Sequence, residues 1–135
     1  MSLMTHQKRV SVQREDFDVG VETAFLCAIS KEVGGINTFL GTVRDINEGD
    51  SVSKLHLEHY PGMTEKQIDA IIERAADRWS VLGAAVVHRV GDLNPGDKIV
   101  FVGIASRHRG DAFKACKFVI DSLKTEATFW KKEVA

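Results

Sequence analysis

Apolar and polar positions divide this chain into short alternating stretches and longer helical stripes. Val10 and Val12 alternate with polar neighbours, the period of a half-buried strand. Asp16-Phe17-Asp18 offers capping carboxylates. Val21, Ala24, Phe25, Cys27, Ala28 and Ile29 come next as a helical stripe, which Gly34-Gly35 is expected to end. Residues 36–44 are rich in β-formers, and after a polar loop at 45–51 the residues Val52, Leu55, Leu57 and Tyr60 read as a second strand. In that strand Leu55 and Leu57 face one way and His56 and Glu58 the other. The two strands are expected to pair as a hairpin with a mobile tip.

Pro61-Gly62 breaks the second strand. Thr64 and Gln67 have capping-box spacing, and Met63 with Ile68 fits a hydrophobic staple. Ile68, Ile71, Ile72, Ala75 and Trp79 give the next helix its apolar side. Residues 84–90 form an apolar strand, Asn94-Pro95-Gly96-Asp97 is a turn, and residues 99–105 are apolar enough for a central strand. A third helix spans about 110–123, with Phe113, Cys116, Val119, Ile120 and Leu123 at core spacing. The order β, α, β-β, α, β-β, α predicts one α+β domain over residues 1–135. Its hairpins pair antiparallel, and about three helices pack on one face of the sheet. The leading residues 1–4, which include a second methionine at Met4, contribute nothing to this pattern.

Composition narrows the function classes. The net charge is −1, so no global field draws the chain to nucleic acid or membrane, and any anion site must be local. No aromatic-basic stripe favours nucleic acid either. No segment reads as a signal peptide or a membrane span, and a soluble cytoplasmic protein is the expectation. Cys27 and Cys116 lie in apolar helical patterns and read as buried free thiols. No Cys-x-x-Cys or His-x-x-x-His spacing suggests a metal, and no cofactor is expected.

Four places could carry chemistry. Ser106-Arg107-His108-Arg109 lies between a central strand and a helix start, where backbone N–H groups favour anions; it is otherwise a solvated basic turn. Arg44, at the end of an apolar strand, is either a phosphate ligand or a charge reaching water. His59-Tyr60-Pro61-Gly62-Met63 holds a histidine that could act as acid or base, or it simply builds a turn. In Leu123-Lys124-Thr125 through Phe129-Trp130-Lys131-Lys132-Glu133, a continued helix puts Lys124 at the edge of the buried face, and Lys131 comes after two aromatics. A partly desolvated lysine serves as base, nucleophile or anion clamp; a frayed basic end is the plain alternative.

These same places match one family in order. The stretches Phe39-Leu40-Gly41-Thr42-Val43-Arg44, Leu57-Glu58-His59-Tyr60-Pro61-Gly62-Met63 and His88-Arg89-Val90-Gly91-Asp92-Leu93 resemble the catalytic subunit of molybdopterin synthase. Pro95-Gly96-Asp97, Ser106-Arg107-His108-Arg109-Gly110-Asp111-Ala112-Phe113 and the lysine-rich end extend the likeness over about residues 33–133. The resemblance implies a hammerhead-like α/β fold and conversion of cyclic pyranopterin monophosphate (precursor Z) to molybdopterin. Sulfur would come from the C-terminal Gly-Gly thiocarboxylate of a small ubiquitin-like subunit. It also implies a homodimer at the centre of a heterotetramer, with pockets drawing residues from both large subunits. By position, Lys124 matches the essential lysine, Lys131 a second pocket lysine, and Arg44, His108 and Arg109 the cations for the substrate phosphate.

Two departures carry further expectations. Many family members continue past the position of Glu133 with residues that help close the pocket, so a chain ending at Ala135 is expected to close it less fully. Thr128 stands where proline is frequent, which implies a looser backbone. Two rival readings use the same residues. One is a non-catalytic module gripping a ubiquitin-like tail; the other is an anion- or nucleotide-binding domain built on Arg44 and the turn at 107–109.

Overall fold

The computed structural model of the protein describes residues 6–45 and 54–134, with 130–134 by backbone only. Its elements are β1 (Gln7–Gln13), α1 (Val19–Cys27), β2 (Gly35–Thr42), β3 (Lys54–His59), α2 (Met63–Arg78), β4 (Gly83–Arg89), β5 (Gly91–Leu93), β6 (Lys98–Ser106), α3 (Arg109–Glu126) and β7 (Phe129–Val134). They form two sheets. The larger has the order β1-β4-β6-β2 and the smaller β5-β3-β7. All pairings are antiparallel except β1 with β4, so the α+β class expected from the element order holds with a mixed sheet.

The central strands β4 and β6 carry apolar residues on both faces. Ala84, Val86, Val102 and Ile104 pack under α2 and α3 with Ile68, Ile71, Ile72, Ala75, Cys116, Val119 and Leu123. Ala85, Val87, Phe101 and Ala105 pack on the other face with Phe17 and Leu26 of the α1 region. The three helices therefore divide between both faces of the sheet, rather than covering one. Continuous apolar runs such as residues 84–87 are the pattern of strands buried on both sides.

The hairpin expected from residues 36–44 and 52–60 does not form. β2 pairs with β6, and β3 pairs with β5 and β7. The connection at 43–53 is far longer than the roughly two to five residues of common hairpin loops, so nothing local ties the two strands. Most of the polar loop at 45–51, expected to be mobile, lies outside the described residues, as does Val52. The chain leaves the large sheet for the small one at Val90-Gly91. There Gly91 has φ +90, and a Cβ would lie 2.6 Å from the Arg14 guanidinium. Leu57, Val90 and Leu93 fill the space where the two sheets meet.

Local signals differ from expectation in several places. α1 ends at Cys27, well before Gly34-Gly35, and Cys27 is exposed while Cys116 is buried. Only Glu22 and Leu26 of α1 are buried, because the helix rests on the sheet along a narrow stripe. α2 is capped by Gly62, whose N–H donates to Glu65 Oε1 at 2.7 Å, in place of a Thr64–Gln67 box. Met63 is 56% exposed and makes no staple, and Phe113 is 61% exposed on the outer side of α3. Gly34-Gly35 has another use. A Cβ at Gly34 would sit 2.2 Å from the Arg107 carbonyl oxygen, and one at Gly35 would sit 3.0 Å from Arg109 Cα. The start of β2 thus lies against the turn that opens α3.

Candidate active site

A cavity of about 600 Å³ opens where the two sheets meet the end of α3. Its walls are Phe39 of β2, Leu55 and Leu57 of β3, Ile99, Val100 and Val102 of β6, Ile120 and Leu123 of α3, and Ala127 and Phe129 beyond it. Among the described residues that line it, only two carry titratable groups: Lys124 and His88.

Lys124 stands in the last turn of α3, exposed at the cavity rim beside buried Leu123. The helix edge inferred from the sequence is therefore where the lysine lies. The segment after it is fixed from α2. Gln67 Oε1 accepts from the Thr128 N–H at 2.7 Å and from the Thr128 hydroxyl at 2.6 Å. Thr64 is fully buried; its hydroxyl accepts from Tyr60 N–H at 3.1 Å and donates to the Thr128 carbonyl at 2.9 Å. The looser backbone expected at Thr128 is not found, because three hydrogen bonds replace the rigidity of a proline. The two residues with capping-box spacing serve this tertiary anchor instead.

Beyond this anchor the chain forms a strand, not a frayed end. β7 pairs with β3 from His59↔Phe129 to Lys54↔Val134, and this register sets Lys131 opposite cavity-lining Leu57. On the outer face of β3, His56 lies between Glu58 and Asp92, with Nδ1 2.6 Å from Asp92 Oδ1. Glu58, and then Asp92, raise the pKa of its imidazole. The inward–outward alternation expected for this strand therefore holds.

His88, at the end of β4, is half-buried at the cavity wall. Its ring stacks on Phe129, with centroids 3.9 Å apart and planes 21° apart. Nδ1 lies 2.9 Å from the Arg89 carbonyl oxygen. Burial holds its pKa down to about 4, nearby His59 acts in the same direction, and the bond to Arg89 opposes both. In the sequence, His88 and Phe39 stand out only as members of longer motifs. The available signal is phase, since His88 continues the core-facing series Ala84, Val86.

The anion-binding positions are split. Arg44 lies just after β2 at the cavity end of the sheet and is exposed. It is placed by Val43, whose N–H donates to Asp97 O at 2.9 Å and whose carbonyl accepts from Gly96 N–H at 2.8 Å. His108 caps α3 and Arg109 is its first residue, both exposed at the other end. Fifteen helical steps separate Arg109 from Lys124, a span of about 22 Å. Arg107 is engaged elsewhere: it pairs with Glu32 at 2.6 Å and reaches Ser80 Oγ at 3.4 Å. Among the described residues no cluster of His, Cys, Asp and Glu could hold a metal. No described helix is long and apolar enough to cross a membrane.

An α+β domain with a lysine at the rim of an apolar cavity has the form of a small-molecule enzyme domain. The family described as MoaE protein matches residues 12–126, and the chain belongs to that family. It is 55% identical over 124 residues to the molybdopterin synthase catalytic subunit of Ralstonia nicotianae, covering 92% of this chain and 70% of that protein. It is 54% identical over 126 residues to the subunit of the same name from Vibrio cholerae, covering 93% of this chain and 83% of the relative. The solved structure of a molybdopterin biosynthesis MoaE protein from Burkholderia ambifaria superposes with a TM-score of 0.86 at 48% identity, over 93% of this chain and 82% of the other. This places the chain among enzyme subunits of molybdenum cofactor biosynthesis.

Proposed function

We propose that the chain transfers sulfur from the C-terminal thiocarboxylate of a small ubiquitin-like subunit to cyclic pyranopterin monophosphate, forming the dithiolene of molybdopterin. The observation that carries this reading is Lys124 at the rim of a cavity otherwise lined by apolar groups and one neutral histidine. An ammonium at the rim binds a carboxylate or thiocarboxylate the more strongly once the bound molecule displaces water from it, and it stabilises the oxyanion that develops as sulfur is transferred. The same nitrogen can give and take protons at the reacting centre. Lys131, opposite Leu57 in β7, is proposed as a second cation that binds or orients the substrate.

The substrate phosphate needs fixed positive charge. Arg44 lies at the cavity end, whereas His108 and Arg109 are about 22 Å from Lys124 along α3. A second copy of the chain can deliver its own His108 and Arg109 to this cavity. The homodimer is therefore proposed as part of the site, and the ubiquitin-like carriers as its outer partners. The experiment mixes this protein with a thiocarboxylated small subunit and the cyclic pterin phosphate, then assays the dithiolene pterin. Product is expected. Binding of the small subunit without product would favour a non-catalytic module, and neither binding nor product would leave only an anion site.

A further inference from the structure

Among the described lining residues, His88 is the one polar side chain that the proposed function does not use. The Arg89 carbonyl oxygen can only accept, so Nδ1 carries the hydrogen in this contact. Stacking on Phe129 fixes the plane of the ring. Burial keeps the imidazole uncharged near neutrality. In that tautomer Nε2 presents a lone pair, and it has no hydrogen-bond partner among the described residues. Among those residues no fully buried side-chain nitrogen or oxygen lacks a partner, so Nε2 is not sealed off, and the ring it belongs to lines the cavity.

The cavity therefore presents two complementary functions. As an ammonium Lys124 only donates, and His88 Nε2 only accepts. We propose that His88 is a positioning residue whose Nε2 accepts a hydrogen bond from an amide-type N–H of the bound molecule, while Lys124 engages that molecule's anionic group. The inference rests on the reading of this cavity as the sulfur-transfer site. Two sources offer the chemistry: the last peptide N–H of a Gly-Gly tail, one residue from its thiocarboxylate, and a ring N–H of the pterin. A ligand carrying only acceptors gains nothing from His88, so the residue selects by donor.

His88→Phe keeps a ring to stack on Phe129 and removes the acceptor; His88→Gln restores an acceptor without the ring. Two quantities are read: the Kd of the small subunit in its ordinary carboxylate form, and the KM for the cyclic pterin at saturating thiocarboxylated subunit. His88→Phe is expected to raise one of them about tenfold, with kcat changed by less than about threefold and most of the loss recovered by His88→Gln. A change in Kd assigns the donor to the tail, and a change in KM assigns it to the pterin. Values within about twofold of wild type, a loss confined to kcat, or a loss that His88→Gln does not recover would overturn the proposal. Histidine nitrogen NMR on the wild-type protein tests it without a variant. The Nε2 signal should move upfield when one of the two molecules is added, and a signal unmoved by both overturns the proposal. If the wild-type protein binds neither molecule and makes no product, the sulfur-transfer reading fails and takes this inference with it. If wild type is active and His88→Phe is indistinguishable from it, only the His88 assignment fails.

Discussion

Gln67 Oε1 receives two hydrogen bonds from Thr128, one from its N–H at 2.7 Å and one from its hydroxyl at 2.6 Å. This fixes the segment between Lys124 and β7 to the second turn of α2. Gln67→Leu leaves both donors without their acceptor and is expected to lower stability by about 1–3 kcal/mol, measured by urea titration. Because the same bonds hold the cavity rim, synthase activity should fall by more than the unfolded fraction explains. Unchanged activity in the folded variant would detach the anchor from the site.

His88 makes stability depend on pH. The folded imidazole titrates near 4, against 6.5 for an unperturbed histidine. Between these values the unfolded chain binds the extra proton, so stability rises with pH and is lost as pH falls from about 6.5 towards about 4. The full effect amounts to about 3 kcal/mol. Denaturant titrations of wild type and His88→Phe across this range should diverge, with the variant less sensitive to acid. Parallel curves would place the acid sensitivity elsewhere.

Arg9 and Glu22 join β1 to α1 through two bonds, Nε to Oε1 at 2.7 Å and Nη2 to Oε2 at 2.9 Å. The Glu22 side chain is only 4% exposed, while that of Arg9 is 40% exposed. Arg9→Ala leaves a buried carboxylate without its partner, at a cost of about 2–3 kcal/mol, reduced by the exposure of Arg9. Glu22→Leu added to Arg9→Ala should recover much of that loss by removing the stranded charge. A denaturation double-mutant cycle checks this, and additive losses would contradict it.

Lys124 and Arg109 are expected to act from different copies of the chain. Lys124→Ala and Arg109→Ala should each be nearly inactive alone. Mixed and allowed to exchange subunits, they form heterodimers with one intact site, and activity should return to about a quarter of wild type. No recovery on mixing would mean that both residues serve the same chain's site or that Arg109 serves none.

The sequence made the elements more legible than their partners. The apolar runs at 84–90 and 99–105 and the stripe from Ile68 to Ala75 gave two strands and a helix, because burial on one or both faces imposes a local period. Pairing left no such trace. β2 reaches β6, and β3 reaches β7, through contacts distant in sequence. β7 went unseen because Phe129–Val134 comes after a helix and carries basic residues that also suit a helix end. Helix geometry put Lys124 at the edge of the buried face, since eleven residues from Phe113 return nearly to the same angle, and left a frayed basic end as the alternative. The same geometry misplaced Phe113, which lies on the outer side of α3. His88 was hidden because a histidine closing an apolar strand looks like the point where the strand meets water. Thr64 and Gln67 misled for a related reason: the residue types of a helix cap here bond a distant segment.

The central claim is that Lys124 acts in the cavity, and the reconstituted synthase reaction of the Lys124→Ala chain tests it most directly. Its thermal unfolding midpoint should match wild type, since the side chain is exposed at the end of α3. Dithiolene formation should drop by about a hundred- to a thousandfold, the scale of losing a group that stabilises charge in the transition state. Turnover near the wild-type rate in a folded Lys124→Ala protein would contradict the claim.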